Sequence, residues 1–128
     1  MRRNLSFLLL IVLLAAGCAP TPSVDLEPAQ VSQRVGQEGV IIVDVRQPDE
    51  WQNEGHIEGA VLMSLDQLAS EAKDYLDPEM DIILVCHSGA LSKVALELLR
   101  NQGFTHLFEL KGGMIAWMMA GQPVVYGR

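Results

Sequence analysis

Two cysteines stand in this chain of 128 residues, in unlike surroundings. Cys86 follows Ile82-Ile83-Leu84-Val85, a short apolar run of the kind that forms a strand buried on both faces. After it come His87, Ser88, Gly89 and Ala90, and then Leu91, Val94, Ala95 and Leu98 recur at helical spacing, which predicts one apolar face. The cysteine therefore sits where a buried strand turns into a helix. A helix start presents unpaired N–H groups and the positive end of the dipole. A tight loop ahead of it curls further N–H groups into a nest for an anion. Both favour the thiolate, the nucleophilic form of cysteine. The competing reading is a buried, inert thiol. Its place in the turn rather than mid-strand favours chemistry.

Cys18 belongs to a different pattern. Arg2 and Arg3 form a charged start, Leu5 to Ala16 is nearly all apolar, and Ala15-Ala16-Gly17 places small residues before the cysteine. The apolar stretch suits a signal-peptide core and falls short of the ~20 residues of a membrane span. The segment resembles the lipobox of bacterial lipoproteins, although Leu14 stands four residues before the cysteine and that family prefers Leu at three. The resemblance implies a signal peptide over residues 1–17, a lipid on Cys18, a Pro20- and Pro22-containing tether over 18–23, and a folded domain over 24–128. The expected location is the extracytoplasmic side of the cell envelope, anchored to a membrane through Cys18. An ordinary secretory signal would instead release the domain to the periplasm, and an uncleaved anchor would leave it on the same side. With Cys18 modified, Cys86 is the sole thiol, which excludes an internal disulfide and a Cys-x-x-Cys redox pair.

The formal charge is −7, and removal of residues 1–17 takes away Arg2 and Arg3 but no acid, so the remainder is more acidic still. No basic stripe is present, so a nucleic-acid partner is not expected. Three histidines scattered about one available cysteine predict no metal site and no organic cofactor.

The elements that must position Cys86 alternate in type. Val24-Asp25-Leu26 predicts a brief edge strand, and Pro28 opens a short helix that Gly36 or Gly39 ends. Val40–Val45 is a second continuous apolar strand. Arg46 to Trp51 leaves it as a loop or single helical turn, followed by the glycine-punctuated Gly55–Ala60. A short strand over Ala60–Met63 leads to Ser64 or Asp66, either able to cap a helix running to Leu76 with Leu65, Leu68, Ala72 and Leu76 on one face. The helix after the cysteine loop spans Ser92 to Gln102, Gly103 ends it, Leu107–Leu110 is a further strand, and Gly112-Gly113 opens a last helical turn through Trp117. This alternation predicts one α/β domain with a mainly parallel central sheet flanked by helices on both faces.

The pieces Ile42-Val43-Asp44-Val45-Arg46, Glu50-Trp51, Gly55-His56-Ile57-Glu58-Gly59-Ala60, Cys86-His87-Ser88-Gly89 and Leu110-Lys111-Gly112-Gly113-Met114-Ile115-Ala116-Trp117 occur in one order. In these the chain resembles a single rhodanese domain, a sulfurtransferase fold, over roughly Val24 to Pro123. The resemblance implies double displacement. The Cys86 thiolate takes a sulfane sulfur from a small donor such as thiosulfate, a polysulfide or a protein persulfide, then passes it to a thiol or to cyanide. Backbone N–H groups from His87 through Ser88, Gly89, Ala90 and Leu91 to Ser92 hold the persulfide sulfur or a donor oxyanion. Many members of the family carry Arg where this chain has Leu91, so the loop here contains no fixed cation and use of dianionic thiosulfate is expected to be weak.

Asp44 and Arg46 fall at the carboxyl end of their strand, the active-site edge of an open α/β sheet. Asp44 is expected either to brace the cysteine loop or to form a structural ion pair with Arg46. His56 is read as a loop-bracing residue rather than a proton carrier, Trp51 and Trp117 as core anchors, and Met114, Met118 and Met119 as packing rather than a metal box. Two other functions compete. A cysteine phosphatase of this fold needs an arginine six residues after the cysteine, where this chain has Ser92. A rhodanese module that carries sulfur without turnover, or binds one protein partner at the envelope, is the alternative that the sequence leaves open.

Overall fold

Continuous apolar runs at Val40–Val43 and Ile82–Val85 have no polar alternation, so both faces of each must be covered. The computed structural model describes residues 24–127, and Cys18 with its leader lies outside them. Five parallel strands form the sheet in the order β1-β5-β4-β2-β3. They are β1 (Val24–Leu26), β2 (Val40–Asp44), β3 (Val61–Leu62), β4 (Asp81–Val85) and β5 (Leu107–Leu110). The helices are α1 (Pro28–Ser32), α2 (Pro48–Glu54), α3 (Leu65–Tyr75), α4 (Ala90–Asn101) and α5 (Gly113–Met119). The central strand β4 pairs with β2 from Val40↔Asp81 to Asp44↔Val85, and with β5 from Ile82↔Leu107 to Leu84↔Glu109.

Successive side chains of a strand point to opposite faces. On β4 this sends Ile82 and Leu84, with Cys86 just beyond, into one apolar layer with Leu68, Ala72, Ala95 and Leu99 of α3 and α4. It sends Ile83 and Val85 into a second layer with Val31 of α1 and Met114 and Trp117 of α5. Helices thus cover both faces, as expected. Ser64 caps α3 in a reciprocal box with Gln67, and Leu68, Ala72 and Leu76 are buried behind it.

Several boundaries depart from the sequence reading. The segment after Arg46 is a helix of seven residues, not a loop or single turn, because Pro48 sits in its first turn and Gln47 and Glu50 close a capping box. Helix α1 stops at Ser32, before either glycine. Helix α4 starts at Ala90, two residues earlier than Ser92, since Gly89 takes the left-handed conformation (φ 99°) that ends the loop. Its buried face is Ser92, Ala95, Leu96 and Leu99, whereas Leu91 and Val94 are 43% and 48% exposed. The run Leu91–Leu99 holds two overlapping apolar stripes, and the one carrying the small Ser92 and Ala95 lies against the sheet.

Candidate active site

Cys86 lies one residue past the end of β4 and is 1% exposed. Its thiol is free, and Sγ accepts a hydrogen bond from the backbone N–H of Gly89 at 2.8 Å. No side chain caps α4, and the sulfur instead takes the N–H of its N-cap residue, Gly89. The sulfur thus lies at the amino end of a twelve-residue helix.

A second helix start fixes the rest of the loop. Met114 N–H donates to the Cys86 carbonyl at 2.8 Å, and Ile115 N–H donates to the His87 carbonyl at 3.1 Å. The two carbonyls beside the sulfur are thereby turned toward α5. This approach demands glycine: Gly112 and Gly113 have φ of 74° and 62°. A Cβ on Gly113 would collide with the Cys86 carbonyl and come within 2.6 Å of the His87 oxygen.

Of the remaining loop residues, His87, Ser88 and Ala90 are exposed and Ser92 is fully buried, its hydroxyl without a partner. Leu91 projects outward and is uncharged, and the first positive side chain along α4 is the exposed Lys93, on the side of β5. His87 instead meets acids. Its Nδ1 is 3.4 Å from Glu50 Oε1 and 3.6 Å from Glu54 Oε2. The sequence reading did not assemble this trio, because its members lie on α2 and on the loop. Their ligand atoms fall within 4.8 Å of one another, so they could hold a cation. The two glutamates already serve other contacts. Glu50 closes the α2 capping box through Oε2, and Glu54 Oε2 lies 3.9 Å from Arg46 Nη1.

Asp44 and Arg46 form the ion pair rather than the brace. Arg46 Nε donates to Asp44 Oδ1 at 3.0 Å and Nη2 to Oδ2 at 2.8 Å, a bidentate geometry, and Nη2 also donates to the Gly55 carbonyl at 2.8 Å. Both side chains are buried. The pair ties β2 to the loop after α2, not to the cysteine loop. His56 stacks on Trp51 with centroids 3.6 Å apart, and its Nδ1 lies 3.2 Å from the Trp51 carbonyl. Its backbone pairs with Val125. His56 is thus held between Trp51 and the C-terminal segment. Trp51 and Trp117 are core anchors at 7% and 1% exposure, while Met119 is exposed and only Met114 of the three methionines is fully packed.

The model of the rhodanese-like domain matches residues 27–120. The chain belongs to the rhodanese-like domain family. A sulfurtransferase of Allochromatium vinosum is 31% identical over 102 residues, covering 79% of this chain and 94% of the relative. A thiosulfate sulfurtransferase of Pseudoalteromonas translucida is 36% identical over 94 residues, 72% of this chain and 86% of the relative. The crystal structure of the Alr3790 protein from Anabaena sp. superposes with a TM-score of 0.73 at 33% identity, covering 80% of this chain and 82% of that one.

This rhodanese-like domain carries one further buried acid that the sequence reading passed over. Glu109 on β5 is 6% exposed and its Oε2 has no hydrogen-bond partner. Burial, then a hydrogen bond to the Asp25 carboxylate and that group's charge, push its carboxyl up to about 7, against the opposing pull of Lys93 and Arg100. A signal was present: an acid inside the apolar strand Leu107-Phe108-Glu109-Leu110, at the alternate position that Leu107 shares. Its partner, on the edge strand at the other end of the domain, gave no local sign.

Proposed function

We propose that the domain is a sulfurtransferase that works through a Cys86 persulfide. One observation carries this reading: Sγ accepts from Gly89 N–H at the start of α4, while the adjacent carbonyls are drawn off by Met114 and Ile115. That arrangement aims one donor at the sulfur and turns the neighbouring acceptors away, which favours the Cys86 thiolate both as nucleophile and as leaving group. In the first step the thiolate forms an S–S bond to the donor's sulfane sulfur. The bond to the donor's remainder breaks, and the electron pair leaves on sulfite, from thiosulfate, or on a thiolate, from a persulfide. In the second step an acceptor thiolate or cyanide takes the same sulfur, and its bonding pair returns to Sγ. The chemistry needs no resolving cysteine.

Donor preference follows from charge. Exposed Leu91 offers no cation, and Glu50 and Glu54 stand beside His87. A donor of low charge, such as an organic persulfide or polysulfide, is favoured over thiosulfate. Incubation with each donor followed by intact-mass measurement tests this. The expected result is a gain of one sulfur atom, absent in a folded Cys86→Ser variant; an adduct on that variant would refute the Cys86 persulfide.

Exposed Leu91, Val94, Ile115, Met118 and Met119 on the two helices that flank the loop favour a second reading, in which one protein partner delivers or removes the sulfur. Single-turnover loading without catalysis from small donors would select it. The envelope location is part of the same proposal: lipid on Cys18 would tether the domain to a membrane. Intact mass of membrane-extracted protein checks this, and a mature start beyond Cys18 would overturn it.

A further inference from the structure

Beside the cysteine loop, on the β5 side of α4, lies a cleft of about 260 Å³. Ser88 and Gly89 form one wall, Asp25 and Glu109 another, and Lys93 and Lys111 stand on its lining. Gly89 is shared with the reactive centre, since its N–H reaches Sγ at 2.8 Å. The cleft is slightly smaller than the ~300–1,000 Å³ of sites for drug-sized ligands, and so suits an amino-acid-sized one.

Its charge pattern is alternating. Two carboxyls share a hydrogen bond at its floor, and Glu109 Oε2, in a side chain 6% exposed, has no donor directed at it. A buried polar atom left without a partner is costly, and a ligand that supplies the donor removes that cost. Of the cations, Lys111 is 2.6 Å from Glu27, Arg100 acts on Glu109 from α4, and Lys93 is the exposed ammonium on the first turns of α4. The cleft therefore offers acceptors for an ammonium and, on Lys93, an ammonium for a carboxylate.

We propose that this cleft seats the sulfur acceptor: a small zwitterionic thiol of the α-amino-acid type, its ammonium on Asp25 and Glu109, its carboxylate on Lys93, and its thiol directed past Gly89 to the sulfur on Cys86. The inference rests on the sulfurtransferase reading for the transfer step only. In that step the acceptor thiolate forms a new S–S bond to the terminal sulfur of a protonated Cys86 persulfide. The old S–S bond breaks, and its electron pair leaves on Sγ. The acceptor sulfur is oxidised, Sγ is reduced, and the terminal proton stays with the product persulfide.

The ammonium needs ionised carboxyls. Because Glu109 titrates at about 7, binding should strengthen about tenfold between pH 6 and pH 8 as its ionised fraction rises. Asp25, Lys93 and Arg100 are the charged groups that set this titration, and Lys111 is the other charged group on the cleft's lining.

The test begins without sulfur transfer. S-methylcysteine, which cannot accept sulfur through its blocked thiol, is titrated into sulfur-free protein while backbone amide shifts are followed. Saturable shifts at Gly89, Lys93 and Lys111 are expected at pH 8, about tenfold weaker in affinity at pH 6. Glu109→Gln and, separately, Lys93→Gln should each weaken binding about tenfold; the exposed Lys93 keeps the test alive if the first variant does not fold. Shifts that are absent, or indifferent to both substitutions, overturn the proposal. A second arm compares kcat/KM for cysteine with that for 2-mercaptoethanol, which lacks both charges. The ratio should be about ten in the parent and fall toward one in either variant; a ratio of one in the parent overturns the proposal. Cleft binding in a protein whose Cys86 never gains sulfur would refute the transfer reading alone, and sulfur loading without cleft binding would refute the cleft alone.

Discussion

Asp44 and Glu109 are both acids buried at this sheet, 1% and 6% exposed, on strands that flank β4. Asp44 faces a guanidinium that matches it bidentately and is itself bonded to the Gly55 carbonyl. Glu109 faces another carboxylate, Asp25, with Lys93 and Arg100 acting less strongly from α4. The first acid is fully partnered and closed off from ligands; its carboxylate has no remaining task. The second keeps an unused oxygen beside a cleft and changes charge near neutral pH. Burial alone therefore says little about a carboxylate's role. What matters is whether the fold completes its partners or leaves that to something outside.

The comparison can be broken from the paired side first. Arg46→Met leaves Asp44 buried and uncompensated, and should cost about 3–5 kcal/mol of stability in urea or thermal melts. Replacing both members, Asp44→Leu with Arg46→Met, should recover much of that loss. A single variant destabilised by less than about 1 kcal/mol would mean that water reaches the pair.

The unpaired side gives a smaller, pH-dependent effect. A carboxyl that titrates at about 7 when folded and at 4.5 otherwise holds more protons in the native state between those values. Stability from this group is therefore full below pH 4.5, falls as pH rises through 7, and levels off above, by on the order of 2 kcal/mol. Glu109→Gln should remove that decline, matching the parent at pH 5 and exceeding it at pH 8. Melts that decline equally in both would place the titration elsewhere.

The smallest effect belongs to an exposed charge at the same edge. Leu91→Arg adds a cation at the start of α4, where solvent and salt screen it, worth ~1 kcal/mol toward an anion. It should lower KM for thiosulfate a fewfold at low ionic strength and leave the melt nearly unchanged, since Leu91 is 43% exposed. No change in KM would show that backbone N–H groups alone set donor preference.

Legibility in the sequence followed how local each feature is. Strands β2 and β4 declare themselves through the four-residue apolar runs Val40–Val43 and Ile82–Val85, and the cysteine turn is marked by the change from Val85 to Ser88-Gly89. The capped helix α3 was equally plain, because its box and its apolar spacing agree. The face of α4 was not, since two stripes compete and only the packing of Ser92 and Ala95 on the sheet selects one. The seven-residue α2 hid behind a proline that opens it rather than breaking it. Within the site, Cys86 was visible because its setting is made by neighbours in the chain. The Glu50–Glu54–His87 cluster and the Asp25–Glu109 pair were not, because each exists only once distant segments meet.

The two hydrogen bonds from Met114 and Ile115 to the cysteine loop also bear on the order in which the chain is made. A ribosome or a translocation pore delivers Cys86 well before Gly113, so the nascent loop lacks the contacts that turn its carbonyls aside. Until α5 docks, the loop lacks those two bonds. On the proposed sulfurtransferase reading, sulfur handling is withheld from incomplete chains, and a product cut short before Gly113 should fail to gain sulfur on Cys86.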